Sequence, residues 1–335
     1  MKIIVDAFGG DNAPGEILLG CAQAMDELGI DIALIGDRAR LEAAAGELGL
    51  SDRLSRMEII ECGDVLTMED DPMSVIKEKT DSSMAVGLRA LAEGRGDAFA
   101  SAGNSGALVV GATTIVKRIR GVKRVSFAPI LPKKKGFFML NDGGANVDCR
   151  PEMLLQFGLM GSEYMKKVMG VENPRVGLAN VGTEPHKGDD LRRDAYALLS
   201  QFPGINFVGN VEPRDIPDDA CEVVVTDGFT GNMLLKMYEG VALTVMGLVK
   251  DVFQKSVKNK LAAGMVYGDM KALKKQIDYN EYGGAPIMGA TKPVFKIHGS
   301  AKASTVKSAL RLTRDYTQSG FTDEIGRIIK ARSAE

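Results

Sequence analysis

One unit recurs along the chain: a short apolar run halts at a knot of Gly, Asp, Asn and Thr, and helical periodicity resumes with almost no spacer. It is read in "KIIVDAFGGDNAPGEILLGCAQAM" from Lys2, in "DAFASAGNSGALVVGATTIV" from Asp97 and in "FFMLNDGGANVDCRPEMLLQFGLMG" from Phe137. It returns in "RVGLANVGTEPHKGDDLRRDAYALLSQF" from Arg175 and "EVVVTDGFTGNMLLK" from Glu222. Such runs, bounded by turn residues and followed by helices, predict βα units in a mostly parallel sheet covered on both faces, an α/β/α sandwich. Right-handed crossovers bring the strand C-termini to one edge, and ligands of open α/β sheets bind along that edge. Asp6, Asn104, Asp142, Asn146, Thr183, Asp227, Thr230 and Asn232 are therefore expected near one rim. In the last unit the helix is expected to begin at Met233, with residues 226–232 as the knot.

Composition narrows what the rim can bind. Lys plus Arg of 42 against Asp plus Glu of 44 gives a formal net charge of −2, so no global field draws in nucleic acid. The absence of Trp and an aromatic content of 6% argue against base stacking. Cys21, Cys62, Cys149 and Cys221 are scattered without CxxC pairing, as expected of reduced thiols in a cytoplasmic protein. The first residues enter a strand-like run without a secretory h-region, and no unbroken apolar run approaches the length of a membrane span. His186 and His298 are too few and too far apart in sequence to suggest a zinc site. Without a Pro/Ser linker, residues 1–335 read as a single α/β unit, with room for two lobes around a cleft.

Gly-rich loops at helix N-termini bind anions through unpaired backbone donors and the helix dipole. The same glycines also serve tight βα turns, and for one loop alone that suffices. No loop matches GxxxxGK[ST] or GxGxxG, which excludes the usual nucleotide fingerprints. Lys187 in "VGTEPHKGDDL" could reach a phosphate or a developing oxyanion; a solvated surface lysine is the alternative. His298 in "FKIHGSAKAS" could act as a general acid or base, or could merely bond backbone at a helix start. No GxSxG elbow is present, and only Arg150 stands near Cys149 to lower its pKa, so covalent Ser or Cys chemistry is disfavoured.

Two stretches depart from the repeat. In residues 60–96 an acidic loop and Pro72 precede a predicted helix through Lys77, and Asp81-Ser82-Ser83 reads as the cap of a second helix from Met84 to Glu93. Residues 241–277 form an amphipathic helical segment, with Val245, Val249, Val252, Phe253 and Val257 on one stripe. From Lys250 to Lys275 there are seven lysines and two aspartates, an excess of five positive charges. Such a segment can lie on an anionic membrane or meet an acidic protein, or can pair with its copy in a dimer.

At this point the motifs resemble one family, the phosphate acyltransferases of bacterial phospholipid synthesis. The resemblance is carried by "VDAFGGDNAP" (5–14), "KTDSSMA" (79–85), "SAGNSGAL" (101–108), "GANVDCRPEMLLQFGLMGS" (144–162) and "VGTEPHKG" (181–188). It continues in "FVGNVEPRDI" (207–216), "DGFTGNMLLK" (227–236), "YGGAPIMG" (282–289) and "IHGSA" (297–301), so it spans the chain. "NDGGAN" stands where the family usually has Leu-Asp-Val-Gly-Ala-Asn, and "GNSG" where Asn-Thr-Gly is usual.

The resemblance implies a fold related to phosphotransacetylases and the isocitrate/isopropylmalate dehydrogenases, with a protruding helical segment, in a homodimer. It implies acyl transfer from acyl-acyl carrier protein to inorganic phosphate without metal or nucleotide. Lys187, Asn232 and His298 are then the expected catalytic positions. Asp6, Asn104, Ser105, Gly106, Asp142, Asn146, Gly182, Thr183, Asp227, Thr230 and Gly231 would shape the phosphate and thioester site. Val252, Phe253, Val257, Leu261 and Met265 would touch the membrane, where a glycerol-phosphate acyltransferase consumes the product. Rival readings are a phosphotransacetylase-like enzyme using acyl-CoA and a non-catalytic acyl or phosphate binding protein.

Overall fold

The computed structural model describes residues 1–277 and 283–332; Tyr282, at the start of the "YGGAPIMG" stretch, lies outside them. The strands are β1 (Lys2–Asp6), β2 (Asp31–Ile35), β3 (Glu58–Ile60), β4 (Ala98–Ser101), β5 (Ser126–Phe127) and β6 (Ile130–Pro132). They continue as β7 (Phe137–Asn141), β8 (Arg175–Ala179), β9 (Asn206–Val211), β10 (Val223–Val225), β11 (Gly284–Met288) and β12 (Val294–Ile297). They form a seven-stranded sheet in the order β3-β2-β1-β4-β12-β11-β5 and a five-stranded sheet in the order β6-β7-β10-β8-β9. The mostly parallel α/β class is as expected; β11 runs antiparallel to β12 and β5, and β6 to β7.

The single rim divides in two. Asp6 ends a strand of the larger sheet and Asn104 follows one, whereas Asp142, Asn146, Thr183, Asp227, Thr230 and Asn232 follow strands of the smaller one. The chain crosses between sheets through β5 and β6, which are two and three residues long and too short to show a period in sequence. One buried apolar cluster runs through both sheets, from Ile3 and Leu34 to Phe157, Val225 and Phe295. Complete burial of a Phe of this kind contributes about 1.5–3 kcal/mol.

Ser82 caps the helix Ser83–Ala92 by accepting from the Ala85 amide (3.4 Å), close to the expected start. The turn before it is a 3₁₀ helix, Pro72–Ile76, rather than an α-helix.

The clearest departure concerns the last βα unit. The helix spans Gly228–Gln254 and begins five residues before Met233, because Asp227 accepts from the Thr230 amide (2.9 Å) and caps it. Gly228 and Gly231 are thus helical, and neither has a positive φ. A Cβ on Gly231 would lie 1.8 Å from the Asp142 carbonyl oxygen, and one on Gly228 2.6–2.9 Å from the Asn146 backbone. The glycines allow the first helical turn to press directly onto the 142–146 loop; they do not form a turn.

The predicted 241–277 segment continues this helix and resolves into Val257–Met265 and Tyr267–Ile277, with Ser256 capping the former through the Asn259 amide. Among the described residues the Gly228–Gln254 helix is the one long and apolar enough to cross a membrane, with a mean hydropathy of 1.2 in its best 18-residue window. Interspersed charges hide it from a scan for unbroken apolar runs. Its start is locked into the protein at Gly228 and Gly231, which argues for a partly anchored surface helix over a span.

Candidate active site

A cavity of about 450 Å³ opens where the loops after β1, β4 and β12 face the start of the long helix. Asp11, Ser105, Lys296, His298 and Ser300 line it from the larger sheet, and Gly143, Gly144, Asn232, Lys236 and Glu239 from the smaller. Phe127, Pro129, Ile130, Leu131 and Leu235 form its apolar wall. The cavity therefore combines hydrogen-bonding and charged groups with hydrocarbon in its lining.

His298 is fixed by its neighbours. Its Nδ1 lies 2.9 Å from Ser300 Oγ and accepts from the Ser300 amide (3.3 Å). The loop after β1 clamps this turn: the Asp11 amide donates to Gly299 O (2.8 Å) and Asn12 Nδ2 to Ser300 O (3.1 Å). Burial pulls the imidazole pKa below the ordinary histidine value, with Glu239 pushing the other way. The ring therefore holds its neutral form to lower pH than a free histidine.

Asn232 is exposed to the cavity on the second turn of the long helix, and Gly144 packs against its side chain. The loop facing it is organised by Asp142, which is fully buried. This carboxylate accepts from the amides of Phe127 (2.9 Å), Gly144 (3.1 Å), Ala145 (3.0 Å) and Asn146 (2.7 Å), and from Asn146 Nδ2 (2.8 Å). Burial pushes its pKa up while those donors pull it down. The Gly143 amide bonds Phe127 O (2.7 Å). The loop amides expected to bind an anion are thus turned inward onto the protein's own oxygens; Asp142 and Asn146 act by holding the loop.

The other expected residues divide similarly. Ser105 lines the cavity, and beside it Gly106 leaves room for Pro72, whose Cγ a Cβ there would approach to 2.7 Å. Asn104 caps the helix Ser105–Gly111 through the Ala107 amide (3.1 Å), and its Nδ2 reaches the carbonyls of residues 67, 68 and 70. Asp6 accepts from Ser101 Oγ (2.6 Å) and the Phe8 amide (3.1 Å). Asp227 and Thr230 are tied to Arg192, whose Nη2 donates to both, at 2.9 Å to Thr230 Oγ1. Lys187 and Thr183 are exposed on the loop after β8, beside buried Gly182, and none of the three lines the cavity. Cys149 is pushed up to about 12, chiefly by burial and then by Asp142, the opposite of the lowering that activates a thiol.

Sequence reasoning passed over Asp11, Lys236, Glu239 and Lys296. Lys236 and Glu239 form an ion pair (3.0 Å) and read in sequence as an ordinary solvated i,i+3 pair. Lys296 had a visible signal: a lone charge inside the apolar run "VFKI".

Two sheets meeting at a cleft of mixed polar and apolar lining define an α/β enzyme site, and solved structures place the fold. EutD phosphotransacetylase from Staphylococcus aureus aligns with TM-score 0.61 and 16% identity over 95% of this chain and 94% of its own. A phosphotransacetylase from Streptococcus pyogenes aligns with TM-score 0.63 and 14% identity over the same shares. The family model described as "Fatty acid synthesis protein" matches residues 1–324. Among relatives, the phosphate acyltransferase of Acetivibrio thermocellus is 47% identical over 97% of this chain and 95% of its own length. That of Clostridioides difficile is 40% identical over 100% of this chain and 98% of its own. The chain belongs to this family, and it is an acyltransferase.

Proposed function

We propose that the acyl group this enzyme transfers to phosphate for phospholipid synthesis arrives as the thioester of acyl carrier protein. The observation that supports the reading is the cavity itself, which brings Asn232, His298 and Ser105 together with Phe127, Pro129 and Leu131 in one lining. A thioester carbonyl needs the first set and a fatty chain the second.

In this reading a phosphate oxygen attacks the carbonyl carbon, the tetrahedral oxyanion accepts from the Asn232 amide, and the C–S bond then breaks. The proton lost by hydrogen phosphate ends on the carrier's thiol, passed by His298, so acyl phosphate and free thiol are the only products. Holding both reactants together supplies several kcal/mol of the barrier reduction. Lys187 stands on the exposed loop at the strand ends, where it meets the charge of the incoming phosphate or of the carrier's arm. Ser105, Gly106, Asp142, Asn146 and Gly231 shape the cleft, while Asp6, Asn104, Gly182, Thr183, Asp227 and Thr230 support its walls.

The test is incubation with palmitoyl-acyl carrier protein and labelled phosphate. Labelled product destroyed by hydroxylamine supports the reading; product only with acyl-CoA favours the phosphotransacetylase-like alternative. Because burial lowers the His298 pKa, activity should persist as pH falls below the ordinary histidine value of about 6.5 and then drop as the ring takes up a proton. A pH–rate profile of His298→Gln that keeps the wild-type acid limb would remove this role.

We place the enzyme in the cytoplasm, as a homodimer in reversible contact with the membrane where the acyl phosphate is consumed by a glycerol-phosphate acyltransferase. Support comes from the tip after the long helix: Val252, Val257, Leu261 and Met265 are exposed, the last at 89%, and Phe253 is half-buried. Lysines surround them, as on interfacial helices. The exposed Phe229, Met233, Met237 and Val241 on the same long helix suit a helix pair between copies. Leu261→Asp should weaken co-sedimentation with anionic vesicles by roughly tenfold or more, since burying a leucine is worth about 1.5–3 kcal/mol. Equal sedimentation of the two proteins would refute membrane contact at the tip.

A further inference from the structure

Lys296 is a buried charge to which the reaction above assigns no task. It lies in β12 between fully buried Phe295 and Ile297, and is itself 6% exposed. Strand alternation sends Phe295 and Ile297 into the main apolar cluster and Lys296 to the opposite face, where it lines the cavity. Its Nζ donates to Ala102 O (2.8 Å) and Ile297 O (2.7 Å). Among the described residues no carboxylate comes within ion-pair distance of it. An ammonium has three N–H donors, and two neutral carbonyls leave one of them unused and the charge without a contact ion pair among the described residues. Buried charge of this kind is unfavourable without a counter-ion, and the cavity is where an anion can supply one.

We propose that Lys296 is the phosphate-binding cation of the cleft, its remaining N–H donating to an oxygen of the attacking phosphate. The inference rests on the acyl-transfer reading and gives the phosphate a charge inside the cavity, which exposed Lys187 does not. The groups facing Lys296 are Asp6 and Asp11 from β1 and its loop, Lys236 and Glu239 from the long helix, and His298 from the turn after its own strand. Burial lowers the ammonium to about 8, with Asp6 and Asp11 opposing and Lys236 assisting. Phosphate affinity is therefore held below that pH and lost as pH rises through it.

The experiment uses the full chain, with Lys296→Met and Lys296→Arg compared by melting and by acyl phosphate formation. Lys296→Met should raise the KM for phosphate at least about tenfold, the scale of a lost hydrogen bond to a charged group, and leave the KM for the acyl thioester within about twofold. Lys296→Arg should regain phosphate binding and lose the alkaline limb near pH 8, because a guanidinium stays charged there. Profiles are read as ratios to wild type, so that the ionisation of phosphate itself cancels. An unchanged phosphate KM in the Met variant of an active enzyme, or an alkaline limb retained with arginine, overturns the proposal. Stabilisation of wild type against melting by inorganic phosphate, absent in Lys296→Met, supports it without any turnover; equal stabilisation of both overturns it. A wild type that forms no acyl phosphate from the carrier-protein thioester refutes that donor alone, and the melting comparison still decides Lys296. Should the Met variant not fold, the arginine pH profile decides.

Discussion

Asn232→Ala is expected to lower kcat for acyl phosphate formation by about 100-fold or more, the usual cost of deleting one oxyanion donor from a water-poor site. The KM values should move little, because the amide meets charge that exists only in the transition state. Stability should hold as well: Asn232 is exposed and lies on the second turn of a helix whose cap, Asp227, is untouched. Steady-state kinetics beside a thermal melt checks both halves. A kcat within threefold of wild type would show that the oxyanion finds its donor elsewhere in the cleft.

Asp142→Ala should act through stability first. One carboxylate gathers four backbone amides and the Asn146 side chain; alanine leaves the four amides without their acceptor, while Asn146 Nδ2 keeps its bond to Val125 O. Each buried donor left unsatisfied costs roughly 1–3 kcal/mol, and water relieves those near the cavity; we expect about 4 kcal/mol in total. For a chain of this size that corresponds to a fall in Tm of about 6 °C. Turnover should fall with it, since Gly143 and Gly144 form part of the cavity wall. Asp142→Asn keeps an acceptor oxygen and should be intermediate. A melt of Asp142→Ala within a degree or two of wild type would show that the loop is held by other means.

The sequence made the βα units legible because each strand is an apolar run closed by turn residues. It could not show the division into two sheets, which depends on strands as short as Ser126–Phe127. The glycines at 228 and 231 show the limit most clearly. Local chemistry reads Gly as a turn, while here the residue is helical and its missing side chain makes room for the backbone of residues 142 and 146. That contact joins residues far apart in sequence, and no window along the chain contains it. Asn232 and His298 were visible because each follows a strand end. Lys296 sits inside a strand, where a charge is read as a flaw in the pattern until the cavity beside it is seen.

The close seat of Gly231 on the Asp142 carbonyl also fixes the long helix azimuthally. With 3.6 residues per turn, each residue added to an α-helix swings everything beyond it by about 100°. A single insertion between Asp227 and Asn232 would rotate the amide out of the cleft. The same insertion near Gly247 would leave the chemistry in register and turn Val252 and the tip beyond it toward a different side. One helix thus sets two headings from a single keyed origin, and its length between them is free to evolve only in steps that return to the same angle.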